Sequence, residues 1–130
     1  MGKKVMIVDD DAMQSFVLKE QLEQTGLVDE VFAFNSSQEG LRFLHDCSEI
    51  QLPDVLLLDI NMPDLSGWDF LDNLSDIPHQ ETIAVYMVSA STARKERDRA
   101  LAHPFVKRCL HKPVTKQQLI SILLLASESS

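Results

Sequence analysis

Short apolar runs alternate with stretches of helical period along the whole chain. The runs at 55–58 and 83–88 show almost no polar alternation, which is typical of parallel strands covered on both faces. The pattern predicts five strands, near residues 4–8, 29–34, 54–58, 83–88 and 105–110.

The helical stretches lie near residues 12–25, 37–46, 67–76, 92–102 and 115–126. Three of them begin with a capping pattern, in which Ser or Thr precedes Glu, Asp or Gln by three residues: Ser36 with Glu39, Ser66 with Asp69, and Thr115 with Gln118. Gly26 suits the end of the first helix. A strand followed by a helix, five times over, predicts a single doubly wound α/β domain over residues 1–130, with helices on both faces of a parallel sheet.

Helical spacing assigns several apolar side chains to the core without any role for a ligand. They are Met13, Phe16, Val17, Leu22, Leu41 and Leu44. Trp68 is interpreted as a packing residue. The fifth helix carries more apolar residues than one core-facing stripe uses, so the surface around Ile120 and Leu124 is predicted to remain available to a partner or to a second copy.

Composition excludes several classes of function. A formal net charge of −8 opposes binding to nucleic acid or to anionic lipid. The apolar stretch at 5–8 is too short for a signal-peptide core, and no run reaches membrane-spanning length, so a cytoplasmic protein is expected. Cys47 and Cys109 lack metal-ligand spacing and are predicted to be free, mostly buried thiols.

Charged residues follow three of the apolar runs. Asp9 and Asp10 end the first run, Asp59 ends the third, and Lys112 follows the fifth. Ligands of open α/β sheets bind at the carboxyl ends of strands, so these side chains are expected to form one polar pocket. Three neighbouring carboxylates require protons or a cation, and an all-oxygen site suits Mg²⁺.

Ser89 closes the fourth run, which adds a hydroxyl to the predicted pocket. Phosphoryl transfer needs an in-line nucleophile, a metal and cationic groups around the equatorial oxygens. Asp59 is positioned to be that nucleophile. Each residue also has an ordinary structural interpretation, as a helix cap, a turn residue or a solvated charge. Asp11 in particular is predicted to cap the first helix.

The sequence resembles the receiver domain of bacterial two-component response regulators over nearly its whole length. Four segments carry the resemblance: Val8 to Asp11, Leu58 to Pro63 with Gly67 after it, Val88 to Ala90, and His111 to Pro113. In that family they correspond to the acidic pair, the phosphorylation loop, the hydroxyl-bearing strand end and the lysine-proline turn.

The resemblance implies a flavodoxin-like, five-stranded parallel sheet in the order 2-1-3-4-5 with five helices. It implies that Asp59 accepts a phosphoryl group from the phosphohistidine of a histidine kinase or a histidine phosphotransfer protein. Mg²⁺ would be held by Asp10, Asp59 and the backbone carbonyl of Asn61, and Asp9 would orient a metal-bound water. Ser89 and Lys112 would hold phosphoryl oxygens. The Lys112–Pro113 peptide is expected to be cis.

One departure concerns the switch. The family carries an aromatic residue three positions before the lysine, and this sequence has Cys109 there. The expected output is a change in a partner-binding or homodimer surface on the fourth helix, the fifth strand and the fifth helix, in a protein that is not an enzyme in its own right.

Two other functions compete with this one. A haloacid dehalogenase-like phosphohydrolase would need a second Asp two residues after the nucleophile, where this chain has Asn61. A phosphate-independent scaffold would normally lack part of the acidic pair, Asp59 or Lys112, and all of these are present. The opening Met1 and the absence of a linker favour a free-standing regulator over a domain of a hybrid kinase.

Overall fold

Five strands and five α-helices alternate along the chain in the computed structural model, which describes residues 2–60, 62, 65–90 and 94–128, with side chains up to residue 125. The strands are β1 (Lys3–Val8), β2 (Val28–Phe34), β3 (Val55–Asp59), β4 (Ala84–Ser89) and β5 (Val106–His111). The helices are α1 (Ala12–Gln24), α2 (Ser37–Asp46), α3 (Gly67–Leu74), α4 (Arg94–Ala102) and α5 (Lys116–Glu128). Short 3₁₀ turns at Glu49–Gln51 and Gln80–Thr82 precede β3 and β4.

The strands form one sheet in the order β2-β1-β3-β4-β5, and every neighbouring pair is parallel. This confirms the predicted flavodoxin-like order. The chain winds outward from β1 in one direction to β2 and in the other to β3, so the connections that leave the carboxyl ends of β1 and β3 diverge. That divergence opens a crevice at one edge of the sheet.

Two apolar layers cover the faces of the sheet. On one face Met6, Leu56 and Leu58 pack among the buried side chains of α2 and α3 and Ala100 of α4. On the other face the alternate residues of β1 and β3 pack with α1 and α5. All five residues of β3 are buried, which explains why its sequence lacks the polar alternation of a one-sided strand.

Helix α1 differs from the prediction in the stripe that it buries. Leu22 is fully buried, as predicted, but Met13, Phe16 and Val17 are 69%, 57% and 44% exposed. The buried residues of α1 are Ser15, Leu18 and Leu22. The assignment of Met13, Phe16 and Val17 to the core was therefore wrong. Their i, i+3, i+4 spacing also fits a stripe of α1 that faces away from the sheet.

The burial of the other predicted packing residues agrees better with the prediction. Leu41 and Leu44 are buried, and Trp68 packs against the core with part of its surface exposed. Cys47 and Cys109 are free, as predicted, but each is only partly buried. Burial is still the main cause that raises the pKa of both thiols. Among the described residues no helix has the length and apolar character needed to cross a bilayer.

The predicted helix caps are present. Asp11 accepts hydrogen bonds from the backbone N–H groups of Met13 and Gln14, which confirms its role as the N-cap of α1. Ser36 and Ser66 each accept from the backbone N–H three residues later, and the Thr115 hydroxyl accepts from Gln118. Gly26, just beyond α1, adopts φ +72°, a conformation in which glycine has no steric penalty.

Gly67 allows the first turn of α3 to approach the end of β3. Its N–H donates to the carbonyl of Ile60 at 2.7 Å. A Cβ at this position would lie 2.8 Å from the carbonyl oxygen of Asp59 and 2.9 Å from the Cα of Ile60. Backbone atoms cannot move aside as a side chain can, so only glycine fits.

We expect Gly67→Ala to lower the free energy of unfolding by about 2 kcal/mol, the usual cost of overpacking a close contact. Gly40→Ala is the matched control, because the three atoms nearest to a Cβ there belong to the side chains of Val8, Met6 and Phe70, which can shift more easily than backbone. Urea unfolding of the two variants compares them. Equal losses would contradict the backbone clash at Gly67.

Candidate functional site

Four strand ends carry the polar side chains predicted for the pocket. Asp9 directly follows β1, Asp59 ends β3, Ser89 ends β4 and Lys112 directly follows β5. The carboxyl ends of these parallel strands share one edge of the sheet, and the backbone N–H of Lys112 donates to the carbonyl of Ser89 at 2.8 Å. The structure therefore brings the predicted residues to one place.

Three carboxylates form the acidic part of the site. Asp9, Asp10 and Asp59 each offer an oxygen, and these oxygens all lie within 4.8 Å of one another. Asp9 and Asp59 are buried, whereas Asp10 is exposed. Clustered carboxylates repel one another, and a hard divalent cation relieves that repulsion through oxygen ligands. The chemistry of these donors fits Mg²⁺, and waters would supply its remaining ligands.

Asp9 is held by donors on both carboxylate oxygens. Its Oδ1 accepts the backbone N–H of Asp11 at 2.9 Å, and its Oδ2 accepts the ammonium of Lys112 at 3.0 Å. Its backbone carbonyl also accepts the side-chain amide of Asn35 at 3.0 Å. These contacts fix the orientation of a buried carboxylate that would otherwise lose its hydration without compensation.

Lys112 joins two of the three carboxylates. Its Nζ lies 3.0 Å from Asp9 Oδ2 and 3.6 Å from Asp59 Oδ1. Burial lowers the pKa of Lys112, but the hydrogen bond to Asp9 and the charges of Asp59 and Asp9 outweigh burial and raise it. Lys112 is therefore a fixed cation at neutral pH. The Lys112–Pro113 peptide is cis, as predicted.

Ser89 is almost fully buried, at 3% exposure, and its hydroxyl donates to Oε1 of Glu96 at 2.6 Å. Sequence reasoning missed Glu96. It is the third residue of α4 and belongs to an unbroken run of charged residues at 94–99. Such a run is typical of a solvent-exposed helix. Nothing in that run distinguishes Glu96 from its neighbours, because only the approach of α4 to β4 selects it.

Two segments next to the predicted site contain residues outside the described part of the chain. Asn61 and Pro63 lie outside the described residues, so the metal-binding role of the Asn61 carbonyl stays a prediction. Residues 91–93, which connect β4 to α4, also lie outside them. Cys109, at the position of the family's switch aromatic, packs partly buried against the core layer that includes α4.

Comparison with known proteins agrees with this geometry. The family model described as "Response regulator receiver domain" matches residues 5–124. The 14.6 kDa protein in the sodA1 3′ region of Leptolyngbya boryana is 29% identical over 119 residues, which is 92% of this chain and 86% of that protein. The sensor protein EvgS of Escherichia coli K12 is 30% identical over 85% of this chain, a match that covers 8% of the sensor's length.

A solved structure extends the likeness to three dimensions. The response regulator receiver protein of Dyadobacter fermentans superposes with a TM-score of 0.85 at 28% identity, over 95% of this chain and 97% of that one. Strand order, acidic cluster and lysine all agree with the family that the sequence motifs indicate. The chain belongs to the response regulator receiver domain family of two-component systems.

Proposed function

We propose that this protein is a phosphorylation-switched receiver, a single domain over residues 1–130, in which Asp59 accepts a phosphoryl group from a phosphohistidine. The contacts of Lys112 are the main support for this proposal. Its ammonium lies within 3.0 Å of Asp9 and 3.6 Å of Asp59, beside an acidic cluster. A cation positioned beside the proposed acceptor carboxylate can stabilise the negative charge on a phosphoryl group during its transfer.

In the proposed transfer, an Asp59 carboxylate oxygen attacks phosphorus as the P–N bond to the donor imidazole breaks, and the bonding electron pair leaves with that nitrogen. Lys112 stabilises one phosphoryl oxygen, and the Ser89 hydroxyl donates to another. Asp10, Asp59 and the Asn61 carbonyl are the residues proposed to hold Mg²⁺, and Asp9 to orient a water on it. When bound, Mg²⁺ would neutralise charge shared between the carboxylates and the phosphoryl oxygens.

The proposed partners follow from the same chemistry. The phosphoryl donor is a histidine kinase or a histidine phosphotransfer protein, and the protein acts in the cytoplasm with no catalytic activity beyond its own phosphorylation and dephosphorylation. The occurrence of a related segment within a sensor protein supports a role in the same kind of pathway.

The proposed output surface is the face formed by α4, β5 and α5. Leu119, Ile122 and Leu123 of α5 are buried, while Leu124 is 51% exposed and Ile120 is partly exposed. An apolar side chain of α5 left in solvent supports docking of a downstream protein or a second copy. The exposure of Leu124 agrees with the expectation from its sequence, and its partner stays a proposal.

Incubation with acetyl phosphate and Mg²⁺ should add one phosphoryl group, detected as a single mass increment on the intact protein. Asp59→Asn should abolish the increment, because the amide is not a nucleophile for this transfer. Asp54→Asn is the matched control. Asp54 also lies beside β3, at its opposite end, and accepts the backbone N–H of Lys4 at 2.9 Å. Labelling of Asp59→Asn at the wild-type rate would disprove the assignment.

Asp10→Asn should weaken Mg²⁺ binding by about tenfold, because one carboxylate charge is lost beside the cation. In metal-free buffer at neutral pH the same variant should keep or raise the thermal midpoint, because it removes repulsion from the acidic cluster. Calorimetric Mg²⁺ titration and thermal unfolding measure the two effects.

Asp11→Asn is the control for this prediction, because Asn is as good an N-cap as Asp and Asp11 is not one of the three clustered carboxylates. Its Mg²⁺ affinity and thermal midpoint should both match the wild type. Loss of stability in Asp10→Asn with unchanged Mg²⁺ affinity would show that Asp10 has a structural role instead.

A further inference from the structure

The side chain of Glu96 competes for the hydroxyl that the proposed function assigns to the phosphoryl group. Ser89 Oγ donates to Glu96 Oε1 at 2.6 Å, and Ser89 is 3% exposed. A serine hydroxyl carries one proton, and a carboxylate can only accept. Ser89 therefore cannot donate to a phosphoryl oxygen while it donates to Glu96. One contact must break before the other forms.

Charge favours the hydrogen bond from Ser89 to Glu96 as long as Asp59 carries no phosphoryl group. The bond to Glu96 has an ionised acceptor, so it is short and stronger than a neutral hydrogen bond. A phosphoryl group on Asp59 is also anionic, and it would repel the Glu96 carboxylate across the shared hydroxyl. Phosphorylation therefore supplies both a competing acceptor and a force that drives Glu96 away.

Helix α4 connects the Ser89–Glu96 hydrogen bond to other parts of the protein. Ala100 fixes the helix to the core at 0% exposure, and the Arg99 guanidinium lies 4.1 Å from the centre of the Trp68 ring at the start of α3. Cys109 lies close enough to α4 that the charges of Arg97 and Glu96 act on its thiol. Where the family has a large aromatic residue, this protein has the small side chain of Cys109.

We propose that Glu96 is a positioning residue that holds the Ser89 hydroxyl away from the acceptor site, and that capture of Ser89 by the phosphoryl group releases Glu96 and shifts α4. The Ser89–Glu96 contact thereby performs the coupling that Cys109, which lacks an aromatic ring, cannot perform. This inference rests on the proposed function, since it assigns a regulator to the same site.

Affinity for beryllofluoride in the presence of Mg²⁺ tests the proposal, with calorimetric titration as the measurement. Glu96→Ala should bind beryllofluoride about tenfold more tightly than the wild type, because no hydrogen bond to a charged acceptor has to be broken first. In a Ser89→Ala background the same substitution should tighten binding clearly less than in the wild type, since there is no hydroxyl to release and only the charge repulsion is relieved. This double-mutant cycle also cancels any loss of α4 stability, because both backgrounds share it.

Asp98→Ala is the control for charge alone. It removes an equal charge from the same helix at an exposed position, about 200° around the helix from Glu96, and should leave the affinity within about twofold of the wild type because exposed charges are screened. Trp68, the only tryptophan, adds a second readout. Without ligand, its emission in Glu96→Ala should already be shifted toward that of the beryllofluoride-bound wild type.

The outcomes separate the two proposals. Binding by the wild type but not by Asp59→Asn supports the proposed function, and the Glu96 variants then decide the role of Glu96. No tightening in Glu96→Ala, or equal tightening with and without the Ser89 hydroxyl, would overturn the role of Glu96 alone. Failure of the wild type to bind beryllofluoride would overturn the proposed function and this inference together.

Discussion

The charge balance between Lys112 and three carboxylates is the interaction on which the site depends. Asp9 is buried and would be costly to leave unpaired, and the ammonium of Lys112 compensates it at 3.0 Å. One lysine cannot neutralise three carboxylates, so the charged corner formed by Asp9, Asp10, Asp59 and Lys112 keeps an excess of negative charge. That excess explains how one cluster can attract a divalent cation while Lys112 remains directed at Asp59.

Backbone contacts hold this charged corner in place. The sheet presents the ends of β1, β3, β4 and β5 at one edge, and the backbone of Lys112 is bonded to Ser89 across β4 and β5. Gly67 brings α3 against the end of β3 with no room for a side chain. The carboxylate of Asp59 is therefore supported by a backbone that has little freedom to relax, as its proposed role as phosphoryl acceptor requires.

The contact between Ser89 and Glu96 connects the charged corner to the surface. It joins a buried hydroxyl to a helix whose first six residues are all charged. Among the described residues of α4, Ala100 is the only buried one, so a single charge-assisted hydrogen bond weighs more in the placement of this helix than it would in an apolar helix. Under the proposed function, this contact makes α4 the element that responds first to phosphorylation of Asp59.

The sequence by itself determined the element order, the parallel sheet and most of the caps, because these depend on local spacing. Continuous apolar runs reveal strands covered on both faces, and residues at their ends must meet once the strands are parallel, which is why Asp9, Asp59 and Lys112 could be predicted together. Only the tertiary structure decided which stripe of α1 is buried, since Phe16 and Leu22 both belong to sets with helical spacing. It also decided that Glu96 reaches Ser89, because that contact depends on how α4 approaches β4 and on no local pattern.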